Sequence, residues 1–178
     1  FRSFAIKFFM EAHGETREMA GLLNSILPMS AMIATPLFGI LADKIGRRAL
    51  LMTFGSILLV PVYLMMIYSD VSLYVPIALM GIAFSLIPAV MWPSVAYIVE
   101  EKRLGTAYAL MTLIQQIGLA GFNWMIGLAN DYSGASAQNP EGYALGMWIF
   151  SVLGFFGLFF AYLLRRNEMS DKGHGLEL

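Results

Sequence analysis

Gly39-Ile40-Leu41-Ala42-Asp43-Lys44-Ile45-Gly46-Arg47-Arg48 is the stretch that decides the fold of this 178-residue chain. It closes one long apolar run, residues 19–42, and leads directly into the next, residues 49–68. Gly46 suits the left-handed backbone that ends a helix, and Asp43 is an acceptor at the edge of the apolar phase. Gly39 lacks a side chain and would let another helix approach closely. The pattern predicts two membrane-spanning helices joined by a tight polar turn.

The composition indicates a membrane protein. Hydrophobic residues make up 58% of the chain and charged residues only 13%, about half the ~25% typical of soluble domains. Five runs reach the ~20 apolar residues that a spanning helix needs. They are residues 19–42, 49–68, 73–99, 104–129 and 143–164. We therefore predict an all-α membrane protein, because a lipid-exposed backbone must satisfy its hydrogen bonds within each helix.

The two ends of the chain give its predicted organisation. Residues 1–14 are predicted to be the end of a transmembrane helix, residues 15–167 five further helices, and residues 168–178 a cytosolic tail. The chain opens at Phe1 inside an apolar stretch, so we expect a fragment whose N-terminal half is missing. The net charge of −1 excludes a basic surface for nucleic acid, and the lack of cysteine excludes disulfides and cysteine-bound metals.

Basic residues are distributed unevenly between alternate turns. One set of turns and the tail hold eight of them, whereas the opposite turns hold Arg17 alone. Cytosolic loops carry an excess of Lys and Arg, so this asymmetry predicts that the first set and the C-terminus face the cytosol. The eight residues are Lys44, Arg47, Arg48, Lys102, Arg103, Arg165, Arg166 and Lys172.

The apolar runs differ in character. The second and fifth are plain and suited to lipid, whereas the first, third and fourth contain proline, amide side chains and Trp. We predict that Pro28 and Pro36 break the first helix and that Pro88 and Pro93 break the third. The second and fifth helices would then face lipid, and the others an interior pathway.

The turn at residues 39–51 resembles the characteristic loop of the major facilitator superfamily, G-x-L-A-D-(R/K)-x-G-R-(K/R)-x-x-L. The matching positions are Gly39, Leu41, Ala42, Asp43, Lys44, Gly46, Arg47, Arg48 and Leu51. The resemblance implies a major facilitator-type helical bundle of twelve helices in two six-helix halves. It also implies that Asp43, with the basic residues of the turn, is part of a latch that closes the cytosolic side. The charged tail favours the C-terminal half, with helices seven to twelve.

A second turn carries a related pattern. Glu100-Glu101-Lys102-Arg103-Leu104-Gly105-Thr106-Ala107 resembles the E-x-x-R-G-x-A turn of the same superfamily, with Leu104 inserted. The resemblance adds Glu100, Glu101 and Arg103 to the predicted latch. The alternative is a solvated run of charges.

A narrower resemblance concerns the third and fourth runs. The segment from Pro88 to Tyr97, with residues 104–108 and Asn24-Ser25-Ile26, is similar to the branch that contains the lysosomal dipeptide uniporter. The resemblance implies a small zwitterionic peptide or amino compound as cargo. The alternatives are a proton-coupled exporter of drugs or sugars, and a sensor or scaffold that no longer transports.

Polar side chains in the spans are candidates for the substrate pathway. In the fourth run they recur at helical spacing and form one stripe. Trp92, between two prolines, is predicted to line or gate the cavity. The alternatives are interhelical hydrogen bonding for the amides and packing into a kink for Trp92. The candidates are Asn24, Ser25, Trp92, Tyr108, Thr112, Gln115, Gln116 and Asn123.

Ionisable residues are lacking from the middle of the five full runs, although Lys7 and Glu11 could pair near the outer end of the partial helix. Any coupling acid is then expected in the missing half, or transport is uncoupled. No G-x-x-x-x-G-K-(S/T) or H-E-x-x-H pattern occurs, so neither an energised pump subunit nor a zinc enzyme is predicted. We predict a non-enzymatic transporter without cofactor or metal. Its partners are a small solute or short peptide, the bilayer and the other half.

Overall fold

The computed structural model describes residues 1–68 and 71–169, and within them the chain is a bundle of helices. Five of its helical segments are long and apolar enough to cross a membrane. A π-helical turn, Ile87–Met91, joins α4 to α5, so that Tyr74–Ile98 is one span. The helices are α1 Arg2–His13, α2 Arg17–Ile45, α3 Arg48–Tyr68, α4 Tyr74–Leu86, α5 Trp92–Ile98, α6 Leu104–Tyr132 and α7 Ala144–Glu168.

The helix ends follow the local chemistry of the sequence. Gly14 and Gly46 adopt left-handed backbone conformations with φ of 68° and 70°, and each closes the helix before it. The hydroxyl of Thr16 accepts a hydrogen bond from the Met19 N–H at 3.2 Å and caps the start of α2. Helices long and apolar enough to cross a membrane occur at all five predicted runs. The predicted tail beyond Met169, including Lys172, lies outside the described residues.

Two spans, α2 and Tyr74–Ile98, each contain more than one proline, and the prolines affect the two spans differently. The prediction that Pro28 and Pro36 break the first helix is wrong, because α2 continues through both. The Ser30 and Thr35 hydroxyls bond to carbonyls of the preceding turn at 2.7 Å, an arrangement that helps membrane helices tolerate proline. Pro88 lies in the π-helical turn, where the Trp92 N–H reaches back five residues to the Ile87 carbonyl.

Small residues allow the closest helix contacts. α2 and α4 run parallel, and Gly81 faces Leu27 and Ser30 at a backbone approach too close for any side chain. α3 and α7 run antiparallel, with Gly154 against Val60 and the Ser151 hydroxyl donating to the Val60 carbonyl at 3.0 Å. Close approach through Gly and Ser is the usual means of helix association in lipid.

The main core joins α1 to α3, α4 and α7. Phe1 lies in edge-to-face contact with Tyr63 and Phe150, at ring-centroid distances of 5.8 and 6.0 Å. Phe8 and Phe9 are fully buried beside them. α6 is the exception, because only Ile126 and Ala129 of its side chains are buried. α6 therefore touches the described bundle near its two ends and leaves its middle uncovered.

Candidate functional site

Arg48 is the most unusual side chain at the α2–α3 turn, because it carries a charge and is only 7% exposed. Its Nη2 lies 3.3 Å from Asp43 Oδ1 and 3.1 Å from the Tyr97 hydroxyl. Its guanidinium carbon also lies 4.3 Å from the centroid of the Tyr97 ring, a cation–π distance. We call Asp43, Arg48 and Tyr97 the Arg48 cluster. It ties the α2–α3 turn to the end of α5.

The Arg48 cluster is only partly closed. A buried cation is costly unless its donors are satisfied, yet Nη1 of Arg48 has no hydrogen-bond partner among the described residues. The Asp43 side chain is 76% exposed, so its carboxylate is accessible beyond its bond to Arg48. The cluster therefore keeps an accessible acceptor on Asp43 that can engage a further polar group, whereas the unpaired Nη1 of Arg48 is buried.

The other residues of this turn have simpler surroundings. Gly46 donates its N–H to the Ala42 carbonyl at 2.9 Å and ends α2, as predicted. Lys44 and Arg47 are exposed. A Cβ added to Gly39 would meet no atom within 4 Å in the described part of the chain, so no described helix makes the close approach that the sequence predicted there.

The second charged turn is solvated. Glu100 Oε2 and Arg103 Nε lie 3.9 Å apart, with both side chains more than three-quarters exposed. Glu101 is exposed as well. Exposed pairs of this kind contribute little to stability. Within residues 1–68 and 71–169, no ion pair connects this turn to the Arg48 cluster.

Trp92 and Tyr108 form a contact between α5 and α6. Their rings stack at 5.4 Å with an angle of 18°, and the Tyr108 hydroxyl donates to the Trp92 carbonyl at 3.2 Å. Trp92 follows the π-helical turn directly, and such turns occur frequently at functional sites. This contact places two of the candidate pathway residues together.

The remaining candidates on α6 follow it along one exposed side. Thr112, Gln115 and Gln116 are exposed and Asn123 is half-buried. The Thr112 hydroxyl donates to the Tyr108 carbonyl at 2.9 Å, within its own helix. No hydrogen bond among the described residues involves the amides of Gln115, Gln116 or Asn123, so interhelical bonding inside this bundle does not occupy them.

Asn24 and Ser25 lie on α2, apart from that stripe. The Ser25 hydroxyl donates to the Gly21 carbonyl at 2.9 Å, a bond within the helix. Asn24 Oδ1 is buried and accepts no hydrogen bond from any described residue. A buried amide oxygen without a donor is costly, so Asn24 is the better placed of the two to engage a further group.

α1 carries charge on the side that faces away from the bundle. Lys7 and Glu11 form the pair that their spacing allows, with Nζ 4.0 Å from Oε2, and Glu11 also accepts a hydrogen bond from the Tyr143 hydroxyl. Arg2 and Ser3 are exposed on the same side as Lys7. A cation facing hydrocarbon costs about 2.5–3.5 kcal/mol at the centre of a helix, so this side of α1 is unsuited to lipid.

Sequence reasoning overlooked Tyr97 as a functional residue. Tyr is common at membrane interfaces, so the sequence alone favours a place in the interfacial aromatic belt for Tyr97. The structure instead places Tyr97 over Arg48, 49 positions away along the chain. The sequence held only an indirect signal. Tyr97 lies three residues before the second charged turn, and both charged turns are predicted to lie at the same edge of the membrane.

Comparison with known proteins places these features in context. The sequence model of the Major Facilitator Superfamily matches residues 3–177. The lysosomal dipeptide transporter MFSD1 of Danio rerio is 34% identical over 127 residues, which cover 71% of this chain and 28% of that protein.

The mammalian relatives are equally similar. The lysosomal dipeptide transporters MFSD1 of Mus musculus and Homo sapiens are 33% and 31% identical over the same length, covering 71% of this chain and 27% of each protein. The chain thus spans little more than a quarter of the length of the curated relatives it matches.

Proposed function

The chain belongs to the Major Facilitator Superfamily, and from this membership we propose that it is the C-terminal six-helix half of a multi-pass membrane transporter. The complete protein would move a small polar solute by rocking this half against another six-helix half. The observation that carries the proposal is the Arg48 cluster, a buried cation that ties α2 and α3 to α5 and still exposes a carboxylate. We assign no catalytic step to any residue.

Dipeptides or amino-acid-like compounds are the proposed solutes. The support is the similarity to relatives that are named lysosomal dipeptide transporters. The exposed amides on α6 offer both donors and acceptors, as a zwitterionic solute with a peptide bond requires. The uneven distribution of basic residues supports a cytosolic position for the Arg48 cluster.

The Arg48 cluster would act as the latch of this half. Within the half, Arg48 is held by Asp43 and Tyr97. In the state closed to the cytosol, the exposed Asp43 carboxylate would accept hydrogen bonds from the other half. Opening exchanges those bonds for bonds to water. The latch therefore changes the balance between the two states without touching the solute.

We expect the full-length protein, reconstituted in liposomes, to take up a labelled dipeptide along a saturable curve. Excess unlabelled dipeptide should compete, whereas sugars and hydrophobic drugs should not, because the relatives that the chain resembles are named dipeptide transporters. Protein-free liposomes give the background. Uptake of drugs or sugars that requires a proton gradient, with no dipeptide uptake, would favour the exporter instead.

The α6 stripe can be tested by ligand-induced stabilisation of purified full-length protein. Replacing Gln115, Gln116 or Asn123 by Ala is expected to weaken dipeptide binding about five- to tenfold for any residue that contacts the solute, since one hydrogen bond is lost. The thermal shift at fixed dipeptide concentration reports this change.

The control for this measurement is Ile114→Ala on the opposite side of α6, where Ile114 is 69% exposed. We expect that variant to keep the wild-type thermal shift. Identical shifts in all three amide variants would mean that the amides pair with protein groups and do not contact the solute.

A further inference from the structure

α1 has two contrasting sides. Ala5, Phe8 and Phe9 are fully buried against the bundle. The opposite side exposes Arg2, Ser3 and Lys7, with Ile6 and Met10 between them, and we call this side the α1 polar face. Ser3 and Lys7 are four apart and are neighbours on the helix, whereas Arg2 lies about 100° from Ser3 at the edge of this side.

The α1 polar face lies within the depth of the membrane. Phe1, next to Arg2, contacts Tyr63 and Phe150, which lie inside α3 and α7 and not at the helix ends. Helical side chains lean toward the N-terminus of their helix, so Arg2 leans further into the membrane from this level. Arg2 cannot then reach the nearer surface by extending outward. An aqueous pathway is the environment that accommodates its charge.

Charge balance singles out Arg2 within that face. Lys7 is compensated by Glu11, and Glu11 is further bonded by Tyr143. In residues 1–68 and 71–169, no carboxylate lies within 4.0 Å of Arg2. The guanidinium presents a planar fork of donors that matches a carboxylate in two parallel hydrogen bonds. The Arg2 guanidinium therefore lacks an anionic partner, and a carboxylate fits its donor geometry best.

We propose that Arg2, with Ser3 beside it, binds the carboxylate of the transported solute. This inference rests on the proposed function and adds a requirement to it: a solute must carry a free carboxylate. The Arg2 site fixes one end of the solute, and the α6 amides are left to contact its remaining polar groups. An acidic side chain elsewhere in the complete protein is the competing occupant of the Arg2 site.

The test compares a dipeptide with the same dipeptide blocked as its C-terminal amide, using thermal stabilisation of the full-length protein. The wild type should bind the free acid about tenfold or more tightly than the amide, since a charged hydrogen bond is lost. Arg2→Gln should bind the two equally. Arg2→Lys, which keeps the charge but not the fork, should retain part of the preference. Lys7→Gln, on the same face but already paired in the wild type, should keep all of it.

The possible outcomes separate the inference from the function on which it rests. An unchanged preference for the free acid in Arg2→Gln, with uptake intact in the wild type, overturns only the role of Arg2. If Arg2→Gln lowers the unfolding temperature by the same amount with and without dipeptide, Arg2 pairs with a carboxylate of the protein. That result also overturns the proposed role of Arg2. Wild-type protein that neither binds nor takes up any dipeptide or amino acid overturns both. If Arg2→Gln fails to fold, Arg2→Lys decides. An affinity ratio between the free acid and the amide that equals the wild-type ratio in Arg2→Lys overturns the inference.

Discussion

Replacing Gly81 by Ala is expected to lower the thermal unfolding temperature of the full-length protein by about 3–6 °C. A Cβ at this position would lie 2.0 Å from Ser30 Oγ and 2.4 Å from the Leu27 carbonyl oxygen. Overpacking of this kind costs about 1–3 kcal/mol, and contact with rigid backbone puts Gly81 at the upper end. One kcal/mol corresponds to about 2–4 °C for 150–250 residues and to about half of that for a protein more than twice this size, because the entropy of unfolding grows with length. Tryptophan fluorescence during heating in detergent measures the change.

Two further variants identify the cause. Combining Gly81→Ala with Ser30→Ala removes the hydroxyl but leaves the Leu27 carbonyl, so we expect partial recovery. Gly21→Ala on α2, where an added Cβ meets nothing within 4 Å in the described structure, should leave the unfolding temperature nearly unchanged. An unfolding temperature that Gly81→Ala does not alter would contradict the close crossing of α2 and α4.

Replacing Arg48 by Met is expected to slow transport about tenfold or more while solute affinity changes less than threefold. Met retains much of the buried volume but loses the bonds to Asp43 and Tyr97, so the Asp43 carboxylate is no longer held in position for the bond to the other half that favours the closed state. Hydrogen bonds to charged groups are worth about 1.5–3 kcal/mol each, although the exposure of Asp43 weakens that pair. About 1.4 kcal/mol between two states changes their ratio tenfold. Initial uptake rates and ligand-induced thermal shifts measure the two quantities separately.

Neighbouring residues supply matched variants for Arg48. Arg47→Met removes an equal charge from an exposed position one residue away and should reduce the rate less than threefold. Tyr97→Phe keeps the ring over Arg48 but removes the hydroxyl, so an intermediate effect is expected. Asp43→Asn should impair cycling without weakening solute binding. Equal losses in Arg47→Met and Arg48→Met would attribute the effect to total charge, and a loss of affinity in Asp43→Asn would place that residue near the solute.

The spans and their ends could be predicted from the sequence because both depend on local chemistry. Apolar runs of sufficient length require helices in lipid, and Gly14 and Gly46 adopt the left-handed conformation that glycine readily supplies. Proline was harder to interpret. Its ability to distort a helix is local, but whether a helix continues, as α2 does through Pro28 and Pro36, depends on the groups around it.

The candidate site could be predicted from the sequence only where the interacting residues lie close together in one turn. The Asp43–Arg48 pair lies within one turn, whereas Tyr97 reaches Arg48 only through the packing of α5 beside α3. The same limit applies to Gly81, whose partners Leu27 and Ser30 belong to a helix about 50 residues earlier. Arg2 was overlooked because the uncompensated charge becomes evident only after Lys7 and Glu11 are seen to pair.

The π-helical turn at Ile87–Met91 determines the direction in which the side chains of α5 point around the helix axis. Its hydrogen bond from Trp92 to Ile87 encloses one residue more than an α-helical turn does. Without that residue, α5 would rotate by about 100° relative to α4. Trp92 would then turn away from Tyr108, and Tyr97 would turn away from Arg48, while Gly81 kept its place against α2. A single additional residue thus lets α4 keep its close crossing with α2 while α5 keeps the contacts of Trp92 with Tyr108 and of Tyr97 with Arg48.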